Sequence, residues 1–274
     1  MGSVVHRRAS LALILLLLSG SVGGSQSARA SPDRFDVVVI DAGHGGHDEG
    51  ATGLAGLREK DLVLDVARRL SSALEGRGIR VILTRDEDRF LSLEERTAVA
   101  NDARGDLFLS IHANASRSRR PRGIETYFAS LDATDEDARR VAERENTALG
   151  ASAPSFRRDD PLAAILGDLI ENQHLQESSE FAKLAQHELA AVDRSPSRGV
   201  KQAPFVVLMG VQMPAALVEI GFVTNPSEEK ALRKSNQREA IAEALAEAVS
   251  DFASRYDARR GRQSAARSGR ETER

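Results

Sequence analysis

Residues 36–46 read DVVVIDAGHGG. Val37–Ile40 is a β-branched run without polar alternation, the pattern of a strand buried on both faces. The chain then enters a flexible loop, Ala42-Gly43-His44-Gly45-Gly46, that carries a histidine. Downstream, Glu59–Glu75 places Leu62, Val63, Val66, Ala67, Leu70 and Leu74 at helical spacing, and Gly76 and Gly78 end that helix. A buried strand followed by a loop and an amphipathic helix is the repeating unit of an α/β sheet.

The unit recurs outward from there. Arg80–Thr84 (RVILT) predicts a second strand, and Ser92–Asn101 a helix whose Ser92 and Glu95 make a capping box. Leu107–Ile111 (LFLSI) and Gly123–Phe128 (GIETYF) predict further strands, as do the short apolar runs Phe205–Leu208 and Ala215–Val218. Asn236–Tyr256 predicts an amphipathic helix with Ile241, Leu245, Val249 and Phe252 on one stripe. The expected fold is a single α/β domain: a mostly parallel or mixed twisted sheet of about six strands, helices on both faces, and a helical insertion. The insertion is residues 132–180, rich in Ala, Glu, Asp and Arg. Helices are expected near Asp135–Leu149 and Leu162–Val192, joined by a polar, mobile stretch, Ala151–Asp160. Residues 257–274, nearly without apolar side chains, are expected to be a disordered tail.

The chain has 274 residues, enough to bury a sizeable core without cystines, and it contains no cysteine. Thiolate metal sites, cysteine nucleophiles and lipidated cysteine are thereby excluded. Its 38 basic and 41 acidic residues give a mildly acidic protein, a poor partner for nucleic acid. Residues 1–30 read as a cleavable export signal: Arg7 and Arg8, the apolar run Leu11–Leu18, then Ala28-Arg29-Ala30 before Ser31. Eight apolar residues fall short of the roughly 20 that span a bilayer, so the mature chain is expected to be exported, to the periplasm or cell wall, without stable membrane insertion.

Three of these strands are expected to deliver a chemically capable side chain just beyond their carboxyl ends: His44 after the first, His112 after Leu107–Ile111, and Glu219 after Ala215–Val218. Ligands of open α/β sheets bind at that edge. Glu59 opens the first helix and should start near the same edge. Two histidines and a carboxylate form a common catalytic zinc set with one open position. Glu219 would be the second, non-ligating carboxylate that moves the proton. Taken singly, each has a plainer role: a histidine satisfying backbone groups, Glu59 complementing a helix dipole, Glu219 a surface charge. His47 reads as a solvated loop residue, and His174 and His187 as surface residues of the helical stretch.

The runs VIDAGHGG (39–46), EKDL (59–62), LTR (83–85), SIHANA (110–115), GIETY (123–127), RGVK (198–201) and VEIGFVTN (218–225) resemble the zinc-dependent N-acetylmuramoyl-L-alanine amidases, in order over roughly residues 35–255. The resemblance implies a catalytic domain over 31–256 that hydrolyses the amide between the lactyl group of N-acetylmuramic acid and L-alanine of peptidoglycan. It implies Zn2+ held by His44, Glu59 and His112, and Glu219 as catalytic base. Asn114 and Arg85 are candidates for shaping the site, with a structural ion pair as the alternative for Arg85. About fifty residues separate the GIETY strand from the helix around Phe181–Ala185, which resembles the cell-division amidases. In that group an extra helical segment covers the site until an activator with a LytM-type domain displaces it. A segment glutamate would fill the open zinc position, and Glu145, then Glu143, are the candidates here. The role implied is cell-wall remodelling or daughter-cell separation. Two other readings remain: another zinc hydrolase of the cell wall, a peptidase or deacetylase, and a non-catalytic peptidoglycan-binding module.

Overall fold

The computed structural model describes residues 34–148, 174–192 and 196–272. The expected export signal, residues 1–30, and the stretch Ala151–Asp160 lie outside them. The described strands are β1 (Val37–Ala42), β2 (Arg80–Leu83), β3 (Leu107–Asn114), β4 (Ile124–Ala129), β5 (Ser197–Ala203) and β6 (Ala215–Phe222). The described helices are α1 (Glu59–Gly76), α2 (Leu93–Ala103), α3 (Glu136–Ala148), α4 (Leu175–Ala191), α5 (Val206–Met209), α6 (Pro226–Leu232) and α7 (Ser235–Thr272). The strands form one mixed sheet in the order β2-β1-β3-β6-β4-β5. All pairings are parallel except β4 with β6.

Strand alternation sorts the sheet into two faces. Val38, Ile40, Leu109, Ile111, Ala216 and Val218 join one core cluster with residues of α1, α4 and α7. Val39, Phe108, Tyr127 and Leu217 join a second, beneath α2, α3 and α5. Every residue of β1, β3, β4 and β6 is buried. Burial of each large aliphatic or aromatic side chain contributes about 1.5–3 kcal/mol before entropy is counted. By the same alternation, His112, Glu219 and Glu125 fall on the face of Phe108, Leu217 and Tyr127, the face that α3 covers.

The expected capping box is present: Ser92 Oγ accepts from the Glu95 amide, and Glu95 accepts from the Ser92 amide. Three expectations are corrected, and one strand, β5, was not foreseen. The run Phe205–Leu208 is not a strand, because Val206–Met209 closes one helical turn; short apolar runs carry no period long enough to choose. β5 (SRGVKQA) is a strand without an apolar run, since it is an edge strand and only partly buried. β3 and β6 run on through Asn114 and Phe222, so His112 and Glu219 lie inside strands, not beyond them. The chain past Tyr256 is helical to Thr272. Its helix-favouring residues have distant charged partners: Asp257 accepts from the Phe35 amide at 2.7 Å, and Arg259 pairs with Glu180 and Glu177 of α4. Among the described residues no helix is long and apolar enough to cross a membrane.

Candidate metal centre

β1 ends in a sharp loop. His44 has φ 59°, and Gly45 and Gly46 follow with φ 126° and 60°. A Cβ on Gly43 would lie 2.3 Å from the His112 ring, so glycine there allows the loop to cross directly over β3. Beneath the loop lie two buried guanidinium groups. Arg85 donates to the carbonyls of Ala42, Gly43, Lys60 and Glu87, at 2.9, 2.7, 3.0 and 3.1 Å. These are backbone bonds rather than the ion pair considered from sequence, and they fix the path of the loop. Arg96 donates to the carbonyls of Ala42 and His44 and to Asp41 Oδ1, the last at 2.7 Å. Asp41 also accepts from Thr84 and Ser110.

On this frame four side chains converge. One ligand-capable atom from each of His44, Glu59, His112 and Glu145 lies within 4.8 Å of the others, and all four residues are buried. His44 Nε2 is 3.0 Å from Glu59 Oε1 and 3.2 Å from Glu145 Oε2. His112 Nδ1 is 3.2 Å from Glu59 Oε1 and 3.0 Å from Glu145 Oε2. Glu59 is aimed by two amides, Ala113 onto Oε1 at 2.9 Å and Ala51 onto Oε2 at 2.8 Å. His44 Nδ1 bonds Asp48 Oδ2 at 2.8 Å, an outer carboxylate that leaves Nε2 to face the group. Asp48 was not singled out from sequence, although the four-residue spacing in HGGHD was a signal for it.

Electrostatics follow from packing. Burial alone would lower the His112 pKa, but the Glu145 charge, with the close approach of Glu145 and a bond to Glu59, raises it to about 9. Burial of Glu59 is outweighed by the His44 charge, a bond to His112 and the close approach of His44, which bring its pKa down to about 2. His44 is likewise raised despite its burial, first by Glu59 and then by Asp48. The chain thus concentrates two carboxylates and two imidazoles where water is excluded. Even so, His44 Nε2 and Glu145 Oε2 make no well-aligned hydrogen bond. Orphaned buried polar atoms aimed at one point fit a cation, and an N2O2 donor set suits zinc.

Glu219, fully buried on β6, is in register with His112 of β3 on one side and Glu125 of β4 on the other. Burial, then the Glu145 charge, pushes its pKa well above the usual carboxylate value, against the opposing pull of Arg144. Its Oε2 has no partner. A carboxyl group whose pKa is raised by burial beside a cation site is suited to proton transfer. Asn114, buried at the end of β3, accepts from Arg144 Nη1 at 3.1 Å. Of the two candidate glutamates on α3, the structure brings Glu145 into the group and leaves Glu143 exposed. Arg144, not foreseen from sequence, donates to Glu145 Oε1 at 2.8 Å and reaches Glu219 Oε1 at 3.5 Å. His47 stacks on Phe90, His174 pairs with Glu177, and the side chain of His187 is 82% exposed; none joins the group.

Comparison with known proteins agrees with this geometry. Residues 38–251 match the family model described as N-acetylmuramoyl-L-alanine amidase. The chain is 36% identical over 221 residues to the Escherichia coli amidase AmiC, covering 80% of this chain and 53% of that protein. It is 35% identical over 228 residues to E. coli AmiA, covering 82% of this chain and 79% of that protein. The chain therefore spans about half of the AmiC relative and about four-fifths of AmiA. A crystal structure of an N-acetylmuramoyl-L-alanine amidase from Clostridium difficile 630 superposes with TM-score 0.62 at 27% identity, over 80% of this chain and 97% of that one.

Proposed function

This chain belongs to the N-acetylmuramoyl-L-alanine amidase family, and on that premise we propose that it hydrolyses the amide joining the lactyl group of N-acetylmuramic acid to L-alanine in peptidoglycan. The observation that carries the reading is the buried convergence of His44, Glu59, His112 and Glu145 next to Glu219, whose Oε2 has no partner. His44 Nε2, a Glu59 oxygen and His112 Nδ1 would hold the zinc. When bound, the ion polarises the scissile carbonyl and acidifies the attacking water. Glu219 takes the proton of that water and returns it to the departing alanine nitrogen. Arg85, Arg96 and Asp48 hold the His44 loop and ring in place.

Helix α3 is proposed as a built-in plug. Glu145 would occupy the coordination position that water needs, while Arg144 covers Glu219. A plugged site calls for a partner that draws the helix away, and an activator with a LytM-type domain is the partner the family resemblance implies. The same reading takes residues 1–30 as an export signal and places the enzyme in the periplasm or cell wall, in wall remodelling or daughter-cell separation.

Digestion of purified sacculi, with and without chelator, tests the activity by mass analysis of the products. Chelator-sensitive release of intact stem peptides with an L-alanine N-terminus is expected. Chelator-insensitive turnover overturns the zinc assignment, and cleavage within the peptide or loss of acetyl groups makes the chain a peptidase or deacetylase. Metal uptake without any turnover, also after deletion of residues 134–176, leaves a binding module.

A further inference from the structure

A groove of about 1120 Å3 opens beside Glu219 and contains Asn114, Arg117, Glu125, Arg198 and Phe222 in its wall. The sheet order locates it. The imidazoles come from the β1 loop and β3, Glu219 from β6, and the groove continues over β4 and β5 on the far side of Glu219. On the proposed mechanism the leaving amine lies on the Glu219 side of the metal group, so the peptide half of the substrate would extend into the groove.

Of the four arginines in the groove wall, Arg140, Arg144 and Arg198 each pair with a carboxylate and, among the described residues, Arg117 does not. Arg198 is fixed from below: buried Glu125 accepts from its Nε, and its guanidinium lies over the Phe222 ring at 5.3 Å. Its outer Nη2 lies 3.9 Å from Asp137, which also lines the groove. Arg117 is exposed and has no carboxylate partner among the described residues. It stands on the loop SRSRRPR (116–122), whose backbone is pinned: the Ser116 amide donates to Thr224, and Asn225 donates to the carbonyls of Arg119 and Pro121. A fixed backbone that presents Arg117 without a carboxylate partner, beside an Arg198 held in place, is a preorganised anion site.

We propose that Arg117 and Arg198 form a subsite for the free carboxylates of the peptidoglycan stem peptide and set specificity for carboxylate over amidated stems. The proposal rests on the amidase reading for the direction of the peptide. Its test is binding of the free tetrapeptide stem, and of the same peptide with amidated carboxylates, to the full chain by calorimetry at low salt. The carboxylate peptide should bind about three- to tenfold tighter, the range for partly exposed charge-assisted contacts. Arg117→Glu should erase the difference, Arg117→Lys should retain most of it, and added salt should shrink it. Equal affinities, no binding of either peptide, or an unchanged preference in Arg117→Glu overturns the proposal. Inorganic polyphosphate binding as tightly as the tetrapeptide also overturns it, in favour of a general polyanion surface. Failure of sacculus digestion with the peptide preference intact would count against the amidase reading alone.

Discussion

Glu145 Oε2 stands 3.2 Å from His44 Nε2, although the two residues lie a hundred positions apart and only Glu145 belongs to the added helical segment. On the proposed reading, a carboxylate there would compete with water for the open position of a metal held by the other three side chains. Glu145→Ala, and deletion of residues 134–176, should therefore raise basal hydrolysis of sacculi. A rise of about tenfold corresponds to some 1.4 kcal/mol of relieved competition. A folded deletion protein with unchanged or lower basal rate would remove α3 from any inhibitory role.

Glu219 holds no position in the metal group, so its removal should separate chemistry from binding. Glu219→Ala should retain zinc at the wild-type stoichiometry by elemental analysis. Turnover should fall about 10²–10⁴-fold, the usual contribution of a positioned proton-transfer group. Equal turnover in the variant would exclude Glu219 from the mechanism.

Gly43→Ala puts a methyl group 2.3 Å from His112 Cε1. Either the ring turns or the loop lifts, and both disturb the group. Zinc affinity, measured by chelator competition, should weaken at least about tenfold, comparable to the loss of an outer-shell partner. The far-UV spectrum should be unchanged. Retained affinity would show that the loop can yield without moving the ligands.

Asp41 and Arg96 form a fully buried pair, and the pull of Arg96 with bonds from Thr84 and Arg96 lowers the Asp41 pKa in spite of burial. A depressed carboxylate contributes stability that is present above its unfolded value, near 3.8, and is lost as pH falls through the lower folded value. Asp41→Asn should flatten that acid limb in thermal melts below pH 3.8. At neutral pH it should cost about 3–5 kcal/mol, because Arg96 remains buried without its partner. An unaltered acid limb would place the pH dependence elsewhere.

What the sequence alone determined was whatever short-range pattern encodes. Val37–Ile40, Leu107–Ile111 and the 3.6-residue stripe of Glu59–Glu75 announce buried strands and an amphipathic helix, because side-chain periodicity is a local property. His44, Glu59, His112 and Glu219 stood out because each sits at a fixed offset from such an element, and the ordered runs around them matched one family. The tertiary structure alone decided which groups meet. It placed Arg96 under the His44 carbonyl, Asp48 behind the His44 ring, Arg144 against Glu219, and Arg259 against Glu180, turning an expected loose tail into helix. These are through-space contacts between charged or polar residues whose local sequence carries no period. Their partners are chosen by strand order and burial, which exist only once the sheet is assembled.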